Sequence, residues 1–293
     1  MAFQSREDRK FKGGSFTKVM VPEEINLLVS SNPNAGARLV SADGSAFSVQ
    51  LQDGIKIPSD AKNVNVSVEE ATIWWVVPNI ITGVNDRIYI TAPRALDDAL
   101  TAYNIQVPQG LYDLTALNDT VLRELENAGA KVNPDPVINI LADDATQKVE
   151  FRFNYVGTEI DFTQPDTFRG ILGYNSAVLG PNAAAPFIYL APNVAAFNTV
   201  NSFLIHSDLV TKGLSLNGNF NQTVAQVLIN VRPGSQIVST PFNPAKSEAQ
   251  ELAGAIRTTL RFFLTDDQDR PVNTNGEYWT ARIKISYLHP HYI

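Results

Sequence analysis

The 293-residue sequence contains no cysteine. That excludes disulfides, thiolate metal sites and a cysteine nucleophile, and it leaves the redox compartment open. Histidine is nearly as scarce, with only His206, His289 and His291. His206 falls within an apolar strand pattern and is read as structural. His289-Pro-His291 has no neighbouring carboxylate cluster in the sequence to complete a ligand set, so no metal and no cofactor is expected. No Gly-x-Ser-x-Gly elbow, Walker loop, His-Glu-x-x-His or EF-hand spacing occurs, so no catalytic residue is named and an enzyme is not expected. The acidic group Asp266, Asp267, Asp269 and Glu277 could hold a calcium ion, but its glycine and spacing are wrong for an EF-hand and it reads as a solvated hairpin turn. Asn-x-Ser/Thr matches at Asn65, Asn118 and Asn221 are too short to weigh. No apolar run approaches the roughly 20 residues of a membrane span, and residues 1–20 are too polar for a secretory leader. The expectation is a soluble chain made without a signal peptide.

Charge is unevenly spread along the chain. The net charge is −7, yet residues 1–18 carry Arg6, Arg9, Lys10, Lys12 and Lys18 against only Glu7 and Asp8. Such a basic arm can touch nucleic acid, an anionic membrane face or an acidic neighbouring subunit, or can simply keep a terminus in solution. In the remainder the basic residues are scattered singly, which is not a nucleic-acid footprint.

What is present is strand pattern. Val64, Val66 and Val68 share one face at period two, and the run continues into Ile73-Trp74-Trp75-Val-Val-Pro78. Val149, Phe151 and Phe153 alternate with Lys148, Glu150 and Arg152, and Ile160 and Phe162 repeat the pattern. The C-terminal third reads as strands near 202–210, 224–231, 237–240, 258–264 and 280–288. One helix stands out, about 113–128. Asp113 is its N-cap, Leu114, Leu117, Val121, Leu122 and Leu125 form its apolar stripe, and Gly129 sits at a left-handed cap. Such a lone helix is expected to lay its stripe on sheet. Residues 175–198, rich in Ala, Asn and Pro, are the candidate boundary or insertion. Roughly thirteen to sixteen short strands without a βαβ rhythm predict an all-β sandwich or pair of barrels. The expected division is an N-terminal arm (1–24), a first β-barrel with the helix (25–174) and a second barrel or completing strands (175–293).

The order of motifs resembles a family. The run Ile73-Trp74-Trp75-Val-Val-Pro78 precedes a Val-Pro-Gln-Gly-Leu-Tyr112 turn into the helix. Then come Phe168-Arg-Gly-Ile-Leu-Gly-Tyr174, Phe203-Leu-Ile-His-Ser-Asp-Leu-Val210, Leu264-Thr-Asp-Asp-Gln-Asp-Arg-Pro-Val272 and Ile283-Lys-Ile-Ser-Tyr-Leu288. Over about residues 46–288 this looks like the jelly-roll capsid proteins of the adenovirus-related (double jelly-roll virus) lineage, closest to penton-type proteins of virophages, adintoviruses and polinton-like elements. The resemblance implies a non-catalytic shell component located in the virion. It implies either one jelly roll with an added β domain or two compact jelly rolls. Penton-type proteins of that lineage are homopentamers at vertices, while double jelly-roll major capsid proteins form homotrimers on facets. Partners would be further copies of the chain and neighbouring capsid proteins, with the basic arm on an internal membrane, the genome or an adjacent subunit. A second class is a carbohydrate- or receptor-binding β-sandwich of a spike, for which Tyr89, Tyr189, Trp279 and Tyr287 are the stacking candidates. A β-sandwich hydrolase is the third.

Overall fold

The structure is a computed structural model that describes residues 18–198, 200–216 and 219–292. The first strands are β1 (Lys18–Ser30), β2 (Ala37–Leu39), β3 (Ala46–Lys56) and β4 (Lys62–Trp74). There follow β5 (Arg87–Pro93), β6 (Leu100–Gln106), the helix α1 (Leu114–Asn127), β7 (Ile138–Asp143), β8 (Lys148–Phe153), β9 (Glu159–Asp161), β10 (Val178–Leu179) and β11 (Phe187–Leu190). The chain ends with β12 (Ser202–Ser207), β13 (Ser215–Leu216), β14 (Asn219–Phe220), β15 (Thr223–Leu228), β16 (Gln236–Ser239), β17 (Ser247–Glu248), β18 (Ile256–Asp266) and β19 (Thr280–Tyr292).

The outer strands form two antiparallel sheets. One has the order β1-β19-β4-β16, with β17 also on β4; the other has the order β15-β12-β18-β3-β2. Successive long strands alternate between them, apart from the hairpin-paired β12 and β15, and this is the eight-stranded double Greek key of a jelly roll. Between the sheets lie Phe47, Phe262 and Trp279, with Phe47 stacked on Phe262 at 5.5 Å and edge-on to Trp279 at 5.0 Å. Every buried member of this core comes from residues 29–77 or 200–287.

The middle of the chain makes a second core. A four-stranded sheet (β10-β9-β5-β6) and a three-stranded sheet (β11-β8-β7) enclose it, and its buried members run from Ile80 to Ala191. Phe151, Phe162 and Tyr174 meet in a triangle with ring centroids 5.3–5.9 Å apart. Tyr174 donates to the Tyr189 carbonyl at 2.5 Å, and burial raises its phenol pKa. Gly173 turns the chain there at φ 78°, where a Cβ would strike the Asn193 carbonyl.

The molecule is therefore one jelly roll with an added β domain, the first of the two expected arrangements. The boundaries differ from those expected. The second domain is inserted between β4 and β12, so the chain leaves the jelly roll at Pro78 and re-enters it near Val200. Residues 175–198 do not open a second barrel; Tyr189, Ala191 and Phe197 close the inserted core. Of the expected arm 1–24, residues 1–17 lie outside the described residues. Residues 18–24 belong to β1, each paired with β19 from Lys18↔Tyr292 onward.

The two crossings are tied at one residue. Buried Asn79 donates through Nδ2 to the carbonyls of Tyr112 (2.8 Å) and Phe197 (3.1 Å), and its Oδ1 accepts from the Tyr112 amide (2.9 Å). An Asn is needed because the site requires donors and an acceptor at once.

The helix forms as the sequence predicts. Asp113 accepts from the Ala116 amide at 2.8 Å. Gly129 and Ala130 donate to Glu126 and Leu125, the Schellman pattern. Leu117, Val121 and Leu125 are buried against the insertion core. Asn118 Oδ1 accepts from the Ile140 amide at 2.8 Å, so α1 also covers the exposed edge at β7.

Candidate assembly surfaces

The side chains with chemical potential are mostly occupied. His206 is buried in β12, its ring stacked on Phe263 at 4.3 Å and its two nitrogens against Thr265 Oγ1 (2.7 Å) and Thr223 Oγ1 (3.2 Å). Asp266 accepts from the amides of Gln268 and Arg270 and from the Arg270 guanidinium. Asp267 accepts from Asn201. Asp266 and Asp267 are thus spent on shaping and holding the β18–β19 connection. Among the stacking candidates, Trp279 and Tyr287 are core residues, Tyr189 packs between Phe153 and Phe187, and Tyr89 lines an open groove with Asn104 and Asp161. A groove of about 570 Å³ lined by Arg38, Ser48, Gln50 and Arg261 is open. The two threonines whose hydroxyls meet His206 are themselves buried, so neither hydroxyl is presented to a substrate.

One cluster escaped the sequence. Glu23 of β1 has Oε1 3.1 Å from His289 Nδ1 and 3.2 Å from His291 Nε2, while Oε2 accepts from Tyr287 at 2.8 Å. That first hydrogen bond, from Tyr287, and then those of the histidines hold the Glu23 carboxyl below its ordinary pKa. Glu23 and His289 stand 266 positions apart, so only the β1–β19 register brings the carboxylate to the histidines.

The jelly roll has two distinct sides. The short link from Ser30 to Ala37 brings the edge strands β1 and β2 together on one side. The link from Leu228 to Gln236 brings β15 and β16 together on the other. Among the described residues, β1 has no partner beyond β19 along its 13 residues. The first side exposes Leu28 (79%), Leu39 and Val40; the second exposes Leu228, Val238 and Phe242, the last completely. The inserted domain has a third exposed edge, β11, with Phe187, Ile188 and Leu190. Exposed apolar side chains grouped along open strand edges are what a chain that associates edge-on presents, and a liability in one that does not.

No protein-family model matches the chain, and no curated protein matches it. Among solved structures, it is similar to the mavirus penton protein with a TM-score of 0.43 and 12% identity, over 93% of this chain and all of that one. It is also similar to a chain from the cryo-electron-microscopy structure of the Sputnik virophage, with a TM-score of 0.39 and 16% identity over 91% and 97% of the two chains.

Proposed function

We propose that this chain is a non-catalytic structural subunit of an icosahedral viral shell, assembling as a five-fold ring at the vertex. The observation that carries the reading is a single jelly roll whose two opposite sides both end in open edges bearing exposed apolar residues. Two different surfaces that fit one another make a head-to-tail contact, and such contacts close into rings. The family resemblance read from the motifs supplies the shell. The strand order supports the vertex over the facet, because the inserted domain is not a second jelly roll and a double jelly-roll subunit needs two. The burial of Trp279 and Tyr287 removes two of the four side chains a sugar-binding reading relied on. The basic residues of 1–18 lead into the β1 edge while the rest of the chain is net negative, so an acidic neighbouring copy is the partner we assign to them.

Native mass spectrometry of the full chain tests this. A specific contact of this kind buries more than about 1,000 Å² and survives micromolar dilution, so five copies are expected. Leu28→Asp on the first side or Val238→Asp on the second should each yield monomers. Both side chains are exposed, so subunit stability should move by less than about 0.5 kcal/mol. Three copies would assign the facet role instead, and a strict monomer would sink the shell reading.

A further inference from the structure

Past Leu288, which pairs with Lys62, the last strand outruns β4 and keeps only β1 beside it. His289 and His291 continue the face of β19 that carries Ile283, Ile285 and Tyr287 inward, so they stand at the open end of the sandwich. Glu23 meets them there from β1. The three ligand atoms lie within 4.8 Å of one another. Behind them, His289 Nε2 is 3.6 Å from Asp60 Oδ1 on the β3–β4 turn.

As a hydrogen-bonded group the cluster turns both imidazoles onto one carboxylate oxygen, Glu23 Oε1. With a cation at Nδ1, the N–H of Nε2 faces the Asp60 carboxylate, 3.6 Å away. A carboxylate behind a metal-bound imidazole is the usual outer-shell device for fixing tautomer and ring orientation.

We infer that Glu23, His289 and His291 form a binding site for a divalent transition-metal ion of the zinc class, with Asp60 orienting His289 from behind. Two imidazoles and one carboxylate suit zinc, nickel or copper, whereas calcium and magnesium require oxygen ligands throughout. Three protein ligands leave a coordination position open, and half-exposed His291 puts it within reach of water. Bound metal would staple the edge strand β1 to β19 where Pro22 and Pro290 thin the backbone ladder. The inference stands independently of the shell reading.

The test uses the full chain without an affinity tag, stripped with chelator. Calorimetric titration with zinc chloride should show one ion per chain at micromolar affinity or tighter, and a melting temperature that rises with zinc and not with calcium or magnesium. His291→Asn and Glu23→Gln should each abolish the binding and the zinc-dependent rise while keeping the metal-free melting temperature near that of the parent. Asp60→Asn should weaken affinity by about 10–100-fold, as removal of such an outer-shell partner does. Zinc binding only at millimolar concentration, binding undiminished in both ligand variants, or equal stabilisation by calcium would overturn the site.

Discussion

At the scale of single residues, His206 has the most measurable consequence. It is 1% exposed, and burial lowers its pKa from 6.5 to about 4 against a smaller opposing pull from Asp269, 3.6 Å away. The folded protein therefore holds the imidazole neutral while the unfolded chain protonates it below pH 6.5. Where the unfolded state binds more protons, stability rises with pH. The His206 contribution is thus complete above pH 6.5 and is lost as pH falls toward 4, a loss of about 3 kcal/mol. Urea unfolding of the wild type and His206→Asn across that window should show a steeper fall for the wild type. Carboxylates such as Asp161, whose pKa is lowered by Thr163 and then Gln164, lose their contribution in both proteins and cancel in the difference. Parallel slopes would mean that His206 carries its proton in the fold.

At the scale of elements, α1 works as a cover and not as a docking helix. Its stripe fills the inserted core and its Asn118 satisfies the β7 edge. Leu117→Ala should cost about 2–5 kcal/mol, because the side chain is fully buried. Arg123→Ala, on the exposed face, should change stability by less than about 0.5 kcal/mol. Equal small effects in chemical denaturation would move the stripe to an interface. This helix was legible because everything that forms it is local: the Asp113 cap, the 3.6-residue period and Gly129. Lys148–Phe153 was legible for the same reason, one dry face against one wet. The strand β1 was less so. Pro22 and the pair Glu23-Glu24 interrupt its alternation and hide its first residues, which only an edge strand tolerates. Nothing local marks Pro78 as the exit from the jelly roll, since Val76 and Val77 prolong the apolar run across it. The Glu23–His289–His291 cluster was illegible, because its carboxylate comes from the other end of the chain.

At the scale of the whole molecule, the two cores draw on separate stretches of chain, and this predicts that the insertion can be removed. Among the described residues, Leu111 is the one hydrophobic side chain of the insertion that packs on the jelly-roll core. The ends of the insertion are already adjacent, since Asn79 bonds the Phe197 carbonyl at 3.1 Å. Replacing residues 80–197 with a short glycine–serine linker should then leave a folded β protein that melts cooperatively. The closure cost of such a linker grows only slowly with its length. The cut exposes little beyond the partly buried surface near Val77, so the loss of stability should stay within a few kcal/mol. Both sides assigned to the ring belong to the jelly roll, so the excised protein should still form the same oligomer as the full chain in native mass spectrometry. A chain that fails to fold would show that the cores are energetically coupled through the crossings at Asn79. A folded monomer would place the ring contacts on the insertion instead, where β11 offers Phe187, Ile188 and Leu190, and the edges of the jelly roll would need another occupant.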